Sequence, residues 1–284
     1  MPSAKLIESK EWSVFAPAFM RLATSGPGVA PAQDIVNRIE KFLPFSQATT
    51  VVDMGCGPGQ LTHAVLEHHF AKLPPSARIV GADNNEQMLQ QYTGRKQKEI
   101  ADGNVAWQRV EVIQTDVQDC SAFADESVSH MLANFVVFLV PEPVQAVRAM
   151  KRVIAPGGVL AMSSWQGSEW QDLMYYPKKV RPDLIMPEPP ATWTSPEGIH
   201  KQLEDAGFRD IMVVEGVGFL PFHGYEEICR FILTKLPLAA RVVKEMSDDE
   251  VHQTFDLMVA DLKAKYPTLP AKMAGKATIA YARK

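Results

Sequence analysis

The sequence predicts an α/β fold built on a seven-stranded, mostly parallel sheet with helices on both faces. Two observations carry this. Short β-branched or apolar runs alternate with segments of helical periodicity from Thr49 to Ser163, the rhythm of right-handed βαβ units. The first, fourth and fifth of these runs are nearly continuously apolar, as strands covered on both faces must be.

The first 45 residues read as a helical cap. Trp12, Phe15, Phe19 and Met20 can share a face, Pro17 limits any helix there, and Ser25-Gly26-Pro27-Gly28 is a break. Ile35, Val36, Ile39, Phe42 and Leu43 then recur at helical spacing up to Pro44. Thr49–Val52 is the first strand. Leu61, Val65, Phe70 and Leu73 mark a helix closed by Pro74-Pro75, Ala77–Ala82 the second strand, and Met88, Leu89 and Tyr92 the next helix. Val105–Thr115 reads as strand three and Val128–Asn134 as strand four, with Val136–Val140 as its continuation. Val144, Val147, Met150 and Ile154 form a helical stripe ended by Pro156-Gly157-Gly158, and Val159–Ser163 is strand five.

The rhythm then breaks. Pro177, Pro182, Pro187, Pro189, Pro190 and Pro196 punctuate a stretch that also holds Trp170, Tyr175, Tyr176 and Trp193. A connection this long is usually functional or disordered, and its aromatics argue for order. A helix resumes with Ile199, Leu203 and Ala206, ending at Gly207; Ile211–Val214 is strand six. Val251, Phe255, Met258 and Leu262 share a stripe in a second insert, and Lys276–Ala282 alternates as the last strand. The expected organisation is one domain over 1–284, with a helical cap (1–45), a ligand-binding core (46–165), a lid insert (166–195) and the rest of the sheet (196–284), which carries a helical insert at 224–264.

Composition excludes several classes. In 284 residues, 29 Lys and Arg face 33 Asp and Glu, a net charge of −4. Nonspecific nucleic-acid binding needs dense positive charge. Cys56, Cys120 and Cys229 make no disulfide framework and lack zinc-ligand spacing. The N-terminal residues show no apolar signal core, and the longest apolar stretch, Met131–Val140, is too short for a membrane span. A cytoplasmic setting is expected, with no membrane or nucleic-acid partner and no metal.

The most informative segment is Val51-Val52-Asp53-Met54-Gly55-Cys56-Gly57-Pro58-Gly59-Gln60. A strand ends in an acid, followed by glycine at alternate positions and then a helix. Glycine allows a tight turn and lets a ligand lie against the backbone. The third glycine stands one position too early for the dinucleotide fingerprint, and no lysine of a P-loop is present. The ligand is therefore expected to present hydroxyls and cationic groups. Asp53 can accept from an amine, Asp83 can bridge two vicinal hydroxyls, and Asp116 can take an amino proton of a base while the Val117 amide donates to its ring.

These segments, with Gly81-Ala82-Asp83-Asn84-Asn85-Glu86-Gln87-Met88-Leu89, Thr115-Asp116-Val117 and Arg152-Val153-Ile154-Ala155-Pro156-Gly157-Gly158, resemble the class I S-adenosylmethionine-dependent methyltransferases over about residues 33–165. The resemblance implies a Rossmann-like sheet and S-adenosylmethionine as cofactor. It implies Asp53 near the methionyl amino group, with Gly55, Cys56, Gly57 and Gly59 forming the loop. Asp83 would hold the ribose, Asn84 and Met88 would flank the adenine, and Asp116 and Val117 would read its edge. Asn134 and Phe135 would lie beside the donor methyl. Beyond strand five the layout is similar to fungal small-molecule methyltransferases of the gliotoxin thiomethyltransferase type, and the first half resembles the ubiquinone-pathway enzymes equally well.

The family builds its acceptor pocket from the N-terminal helix and the insert after strand five. That implies Trp12, Phe15, Phe19, Phe138, Trp165, Trp170, Tyr175, Tyr176 and Trp193 as pocket candidates. Aromatic walls suit planar or apolar small molecules. None of His63, His68, His69, His130, His200, His223 and His252 has a legible acidic partner, so no catalytic base is assigned. The expected function is methyl transfer to O, N or S of a small metabolite. A protein methyltransferase and a regulatory cofactor-binding protein are the alternatives, and the oligomeric state is left open.

Overall fold

The structure is a computed structural model that describes residues 12–13, 15–186 and 188–284. The start of the expected N-terminal cap, residues 1–11, and Pro187 of the expected lid lie outside the described residues.

Seven strands form one sheet: β1 (Thr50–Met54), β2 (Arg78–Asp83), β3 (Val110–Gln114), β4 (Val128–Asn134), β5 (Ile154–Ser168), β6 (Arg209–Phe222) and β7 (Ala271–Arg283). Their order is β3-β2-β1-β4-β5-β7-β6. The first five are parallel neighbours, and β7 runs antiparallel to both β5 and β6. All five residues of β1 are buried, and Val51, Val52 and Met54 carry apolar side chains between the polar Thr50 and Asp53, because helices pack on both faces.

The helices α1 (Ala16–Met20) and α2 (Val29–Phe42) precede the sheet among the described residues; Pro17 stands in the first turn of α1, where its missing N–H costs nothing. Helices α3 (Gln60–His69), α4 (Glu86–Ala101) and α5 (Pro143–Val153) cross between the parallel strands. Asn85 caps α4 by accepting from the Met88 amide at 3.0 Å. Two apolar layers result. On one face Ile35, Val36 and Ile39 of α2 pack with Leu61 and Val65 of α3 and Tyr281 of β7. On the other, Val147 and Met150 of α5 pack with Met131, Leu160, Leu203 and Phe208.

Between β5 and β6 lie α6 (Glu169–Met174), α7 (Pro177–Val180) and α8 (Pro196–Asp205). Between β6 and β7 lie α9 (Tyr225–Lys235), α10 (Pro237–Val243) and α11 (Asp248–Lys265). The inner faces of α6, α9 and α11 bury against Leu220, Phe222 and Met273, at the ends of β6 and β7 that meet this insert. Among the described residues, no helix is long and apolar enough to cross a membrane.

The expected strands differ from the observed ones at their limits. Val105–Arg109 forms a 3-10 turn that buries Ala106 and Trp107, and only Val110–Gln114 pairs with β2. Val137–Leu139 is a 3-10 turn, so Val136–Val140 does not continue β4. Phe70 and Leu73 lie past the end of α3, in and after another 3-10 turn.

Candidate active site

The strand order reverses its direction of growth between β1 and β4. A crevice opens there at the carboxyl ends of the parallel strands, the place where open α/β sheets receive ligands. The cavity at this point has a volume of about 430 Å³.

One end of it is acidic. Asp53 is the penultimate residue of β1, Asp83 closes β2, Asp116 follows β3, and all three line the cavity. Asp53 is 5% exposed, and its Oδ2 accepts from the Thr62 amide at 2.9 Å and the Thr62 hydroxyl at 2.8 Å. Burial, reinforced by the nearby charge of Asp83, pushes its pKa up to about 7. Asp83 accepts from the Gly57 amide at 3.1 Å and the Asn85 amide at 3.0 Å, and burial raises its pKa as well. Asp116 accepts from the Gln118 amide at 2.8 Å and from Asn84 Nδ2 at 3.2 Å.

The loop between β1 and α3 is shaped by left-handed glycines. Gly55 has φ +66°, and a Cβ there would lie 2.5 Å from Val136 Cγ2. Gly57 has φ +45°, and a Cβ there would meet only the Gly55 carbonyl oxygen at 4.0 Å, so it would stand in the open cradle that a ligand can use. Cys56 lines the same cradle, and burial raises its thiol pKa well above normal, which disfavours the thiolate form. The acidic end, the bare loop and the flanking Asn84, Met88 and Val117 fit a molecule with an ammonium group, a diol and a flat base. Those are the features of S-adenosylmethionine.

The other end is apolar. Asn134 ends β4; its Nδ2 donates to the Gly28 carbonyl at 3.1 Å and its Oδ1 accepts from the Ser163 hydroxyl at 2.7 Å. Phe135 follows with φ +60°, an unusual conformation for a bulky residue, and its amide donates to Ser163 Oγ at 3.0 Å. Phe135 stacks on Trp165, centroids 3.9 Å apart and planes 7° apart, and Trp165 meets Trp170 edge to face at 5.0 Å. Phe138 also lines the cavity; Trp12 and Phe19, packed edge to face at 5.4 Å, line it from the N-terminal segment, which Ser13 ties to Asn85 at the start of α4.

Residues 45–203 match the model of a family described as a methyltransferase domain. The chain belongs to this methyltransferase family. It is a class I S-adenosylmethionine-dependent enzyme. Over 271 residues this methyltransferase is 28% identical to methyltransferase ucsB of an Acremonium species, covering 95% of this chain and 93% of that protein. Over 134 residues it is 32% identical to the trans-aconitate 2-methyltransferase of Variovorax paradoxus (strain S110), covering 46% of this chain and 43% of the other. Its fold is shared with phosphoethanolamine N-methyltransferase 2 of Haemonchus contortus, with a TM-score of 0.53, 16% identity, and coverage of 96% and 57%.

Five expected site residues of the methyltransferase do not reach the cavity wall. Gly59, φ +79°, turns toward Tyr92, whose ring leaves no room for a Cβ. Phe15 is buried elsewhere, while Trp12 and Phe19 take the cavity side. Tyr175 packs with Leu184, Met186 and Val242 on the far side of the insert. Tyr176 faces outward, donating its hydroxyl to Asp261 at 2.6 Å beneath Lys179. Trp193 docks onto the sheet among Ile199, Leu203 and Phe208.

Residues without a sequence signature for this role also line the cavity. Gln171, Met174 and Pro189 come from the first insert, and Leu236, Pro237 and Leu238 from the second. Gln60, next to the glycine loop, donates to the Leu22 carbonyl at 2.7 Å and draws the N-terminal segment over the cavity. Pro237 stands in the first turn of α10, which places the Leu236-Pro237-Leu238 run at a helix start. The histidines stay away from the cavity: His130, for example, is fully buried at the third position of β4 and donates from Nε2 to the Leu43 carbonyl at 2.9 Å.

Proposed function

We propose that this methyltransferase methylates a small, largely apolar metabolite at an O, N or S atom. The observation that carries the reading is the contrast between the cavity's two ends. Asp53, Cys56, Asp83 and Asp116 are the titratable groups among the described lining residues, and all lie at the cofactor end. Beyond Asn134 and Phe135 the wall continues through the stacked Trp165 and Trp170, and Trp12, Phe19, Phe138 and Met174 add further apolar lining. Among the described residues, no Lys, Arg or His lines the cavity, which disfavours a polyanionic acceptor such as a tricarboxylate. The 32% identity over 134 residues to an enzyme named for a small acid, trans-aconitate 2-methyltransferase, supports a metabolite over a macromolecule.

In this reading the cofactor's ammonium group lies against Asp53, its ribose hydroxyls against Asp83, and its adenine among Asn84, Met88, Asp116 and Val117. S-adenosylmethionine supplies an activated methyl group, so the protein's work is alignment and exclusion of water. Phe135, fixed by Ser163 and Trp165, borders the point of transfer. The two inserts, 166–195 and 224–264, close the acceptor end as parts of one domain.

The test is a transfer assay with radiolabelled donor against neutral aromatic thiols, phenols and amines, trans-aconitate, and a panel of proteins. Label on a neutral aromatic acceptor supports the reading. Label confined to trans-aconitate or to protein overturns it.

A further inference from the structure

We propose that Thr62 and Tyr92 are positioning residues that hold the Asp53 carboxylate with one oxygen turned to the cofactor's ammonium group. The inference rests on the reading that this group lies against Asp53. Both Thr62 bonds fall on the same oxygen, Oδ2. Among the described residues Oδ1 accepts no hydrogen bond, while Asp53 lines the cavity.

The Thr62 hydroxyl is itself fixed. The Tyr92 hydroxyl donates to Thr62 Oγ1 at 2.7 Å, so the Thr62 hydrogen is left to donate to Asp53. Tyr92 is fully buried, and the chain makes room for it with glycine twice. A Cβ at Gly81 would lie 2.5 Å from the Tyr92 hydroxyl, and one at Gly59 would lie 2.8 Å from its ring. One turn along α4, Arg95 donates to the carbonyls of Pro58 and Gly59 at 2.6 and 3.1 Å, and its guanidinium lies over Trp107. A single helix face thus braces both the acid and the glycine loop.

A merely structural hydroxyl pair would alter stability and leave the titration of Asp53 alone. A positioning pair must alter that titration. The titratable groups near Asp53 are Asp83 from β2, Cys56 from the loop, and Tyr92 and Arg95 from α4. Burial raises the Asp53 pKa to about 7 in the ligand-free protein. Because the ammonium group prefers the carboxylate form, affinity should fall as pH drops below that value. Removing the Thr62 hydroxyl takes away a donor to the carboxylate, so the midpoint should move to higher pH.

The experiment is calorimetric titration with S-adenosylhomocysteine from about pH 5.5 to about pH 9, read alongside thermal melts of each ligand-free protein. Affinity of the unsubstituted enzyme should fall about tenfold per pH unit below the midpoint. Thr62→Val should bind about tenfold more weakly near neutral pH and recover at high pH. Thr62→Ser should restore the original profile, and Tyr92→Phe should shift it in the same direction by less. Profiles of Thr62→Val and Tyr92→Phe that superimpose on the original, or that are lowered equally at every pH, overturn the proposal. Tyr92→Phe decides the matter if Thr62→Val does not fold. Asp53→Asn separates the two levels. If it binds normally, the ammonium placement fails; if it binds weakly while the hydroxyl variants are silent, only the positioning role fails.

Discussion

Asp83 shows how one side chain serves both fold and ligand. It satisfies the amides of Gly57 and Asn85, and so ties the glycine loop to the start of α4. In the proposed placement of the cofactor it also accepts two charge-assisted bonds from ribose hydroxyls. Asp83→Ala should therefore weaken S-adenosylhomocysteine binding by about 1–3 kcal/mol, measured by calorimetry, and lower the melting temperature less. An unchanged affinity would remove the ribose from this position. Phe135 is the complementary case, since its left-handed backbone could not be foreseen from a phenylalanine in an apolar run. It persists because Ser163 accepts its amide hydrogen and Trp165 covers its ring. The acidic strand ends were readable because they stand in order with the glycine loop; an acid before a helix taken alone could equally be an N-cap. The Thr62 and Tyr92 hydroxyls, like the bonding of Asn134 to Gly28, depend on partners distant in the chain and leave no local pattern.

At the scale of elements, the aromatic wall depends on β6 and β7. Gly218 and Gly275 are register partners across these strands. A Cβ at Gly275 would lie 2.2 Å from Trp170, and one at Gly218 would lie 2.6 Å from Trp165 and 2.2 Å from the Pro27 carbonyl oxygen. The glycine pair thus forms the trough in which the two indoles sit. Gly275→Ala should displace Trp170, cost about 1–3 kcal/mol of stability in a denaturant melt, and lower methyl transfer. S-adenosylhomocysteine affinity should stay within about twofold, because the cofactor end shares no partner with Gly275. A fall in cofactor affinity as large as the fall in transfer would show that the two ends are not separable. These strands were the least legible part of the sheet. Ile211–Val214 is the clean centre of a strand running from Arg209 to Phe222, and Lys276–Ala282 lies within Ala271–Arg283. Gly216, Gly218 and Pro221 break the pattern within β6, and Pro156-Gly157-Gly158 hides the start of β5. Strands buried on both faces carry their own signal, whereas these extensions owe their pairing to the inserts packed beyond them. For the same reason aromatic content marked the first insert as ordered but could not tell Trp170, which enters the cavity, from Tyr176, which leaves it.

Over the whole molecule, the two edges of the sheet should respond oppositely to acid. His130 is buried near the amino edge, between Leu43 and Ser129, and stacks on Phe45. Desolvation pushes its pKa down to about 4 from an ordinary value of 6.5. Between those values the unfolded chain binds a proton that the folded protein refuses, so stability falls as pH drops through this window. Asp53, at the carboxyl edge, works the other way: its pKa is raised from 3.8 to about 7, so the folded protein takes up the proton and the group favours folding as pH falls. In the free protein the two contributions oppose each other. A bound ammonium group would keep Asp53 ionised and remove its share of the compensation. The melting temperature should thus fall more steeply from about pH 7 to about pH 5 with saturating S-adenosylhomocysteine than without it. His130→Gln keeps an amide donor for the Leu43 carbonyl but cannot titrate, so it should start less stable at alkaline pH and flatten both curves. If the ligand-bound and free curves stay parallel in the unsubstituted protein, the ammonium group does not face Asp53. If His130→Gln leaves the slope unchanged, acid sensitivity arises elsewhere than at the amino edge.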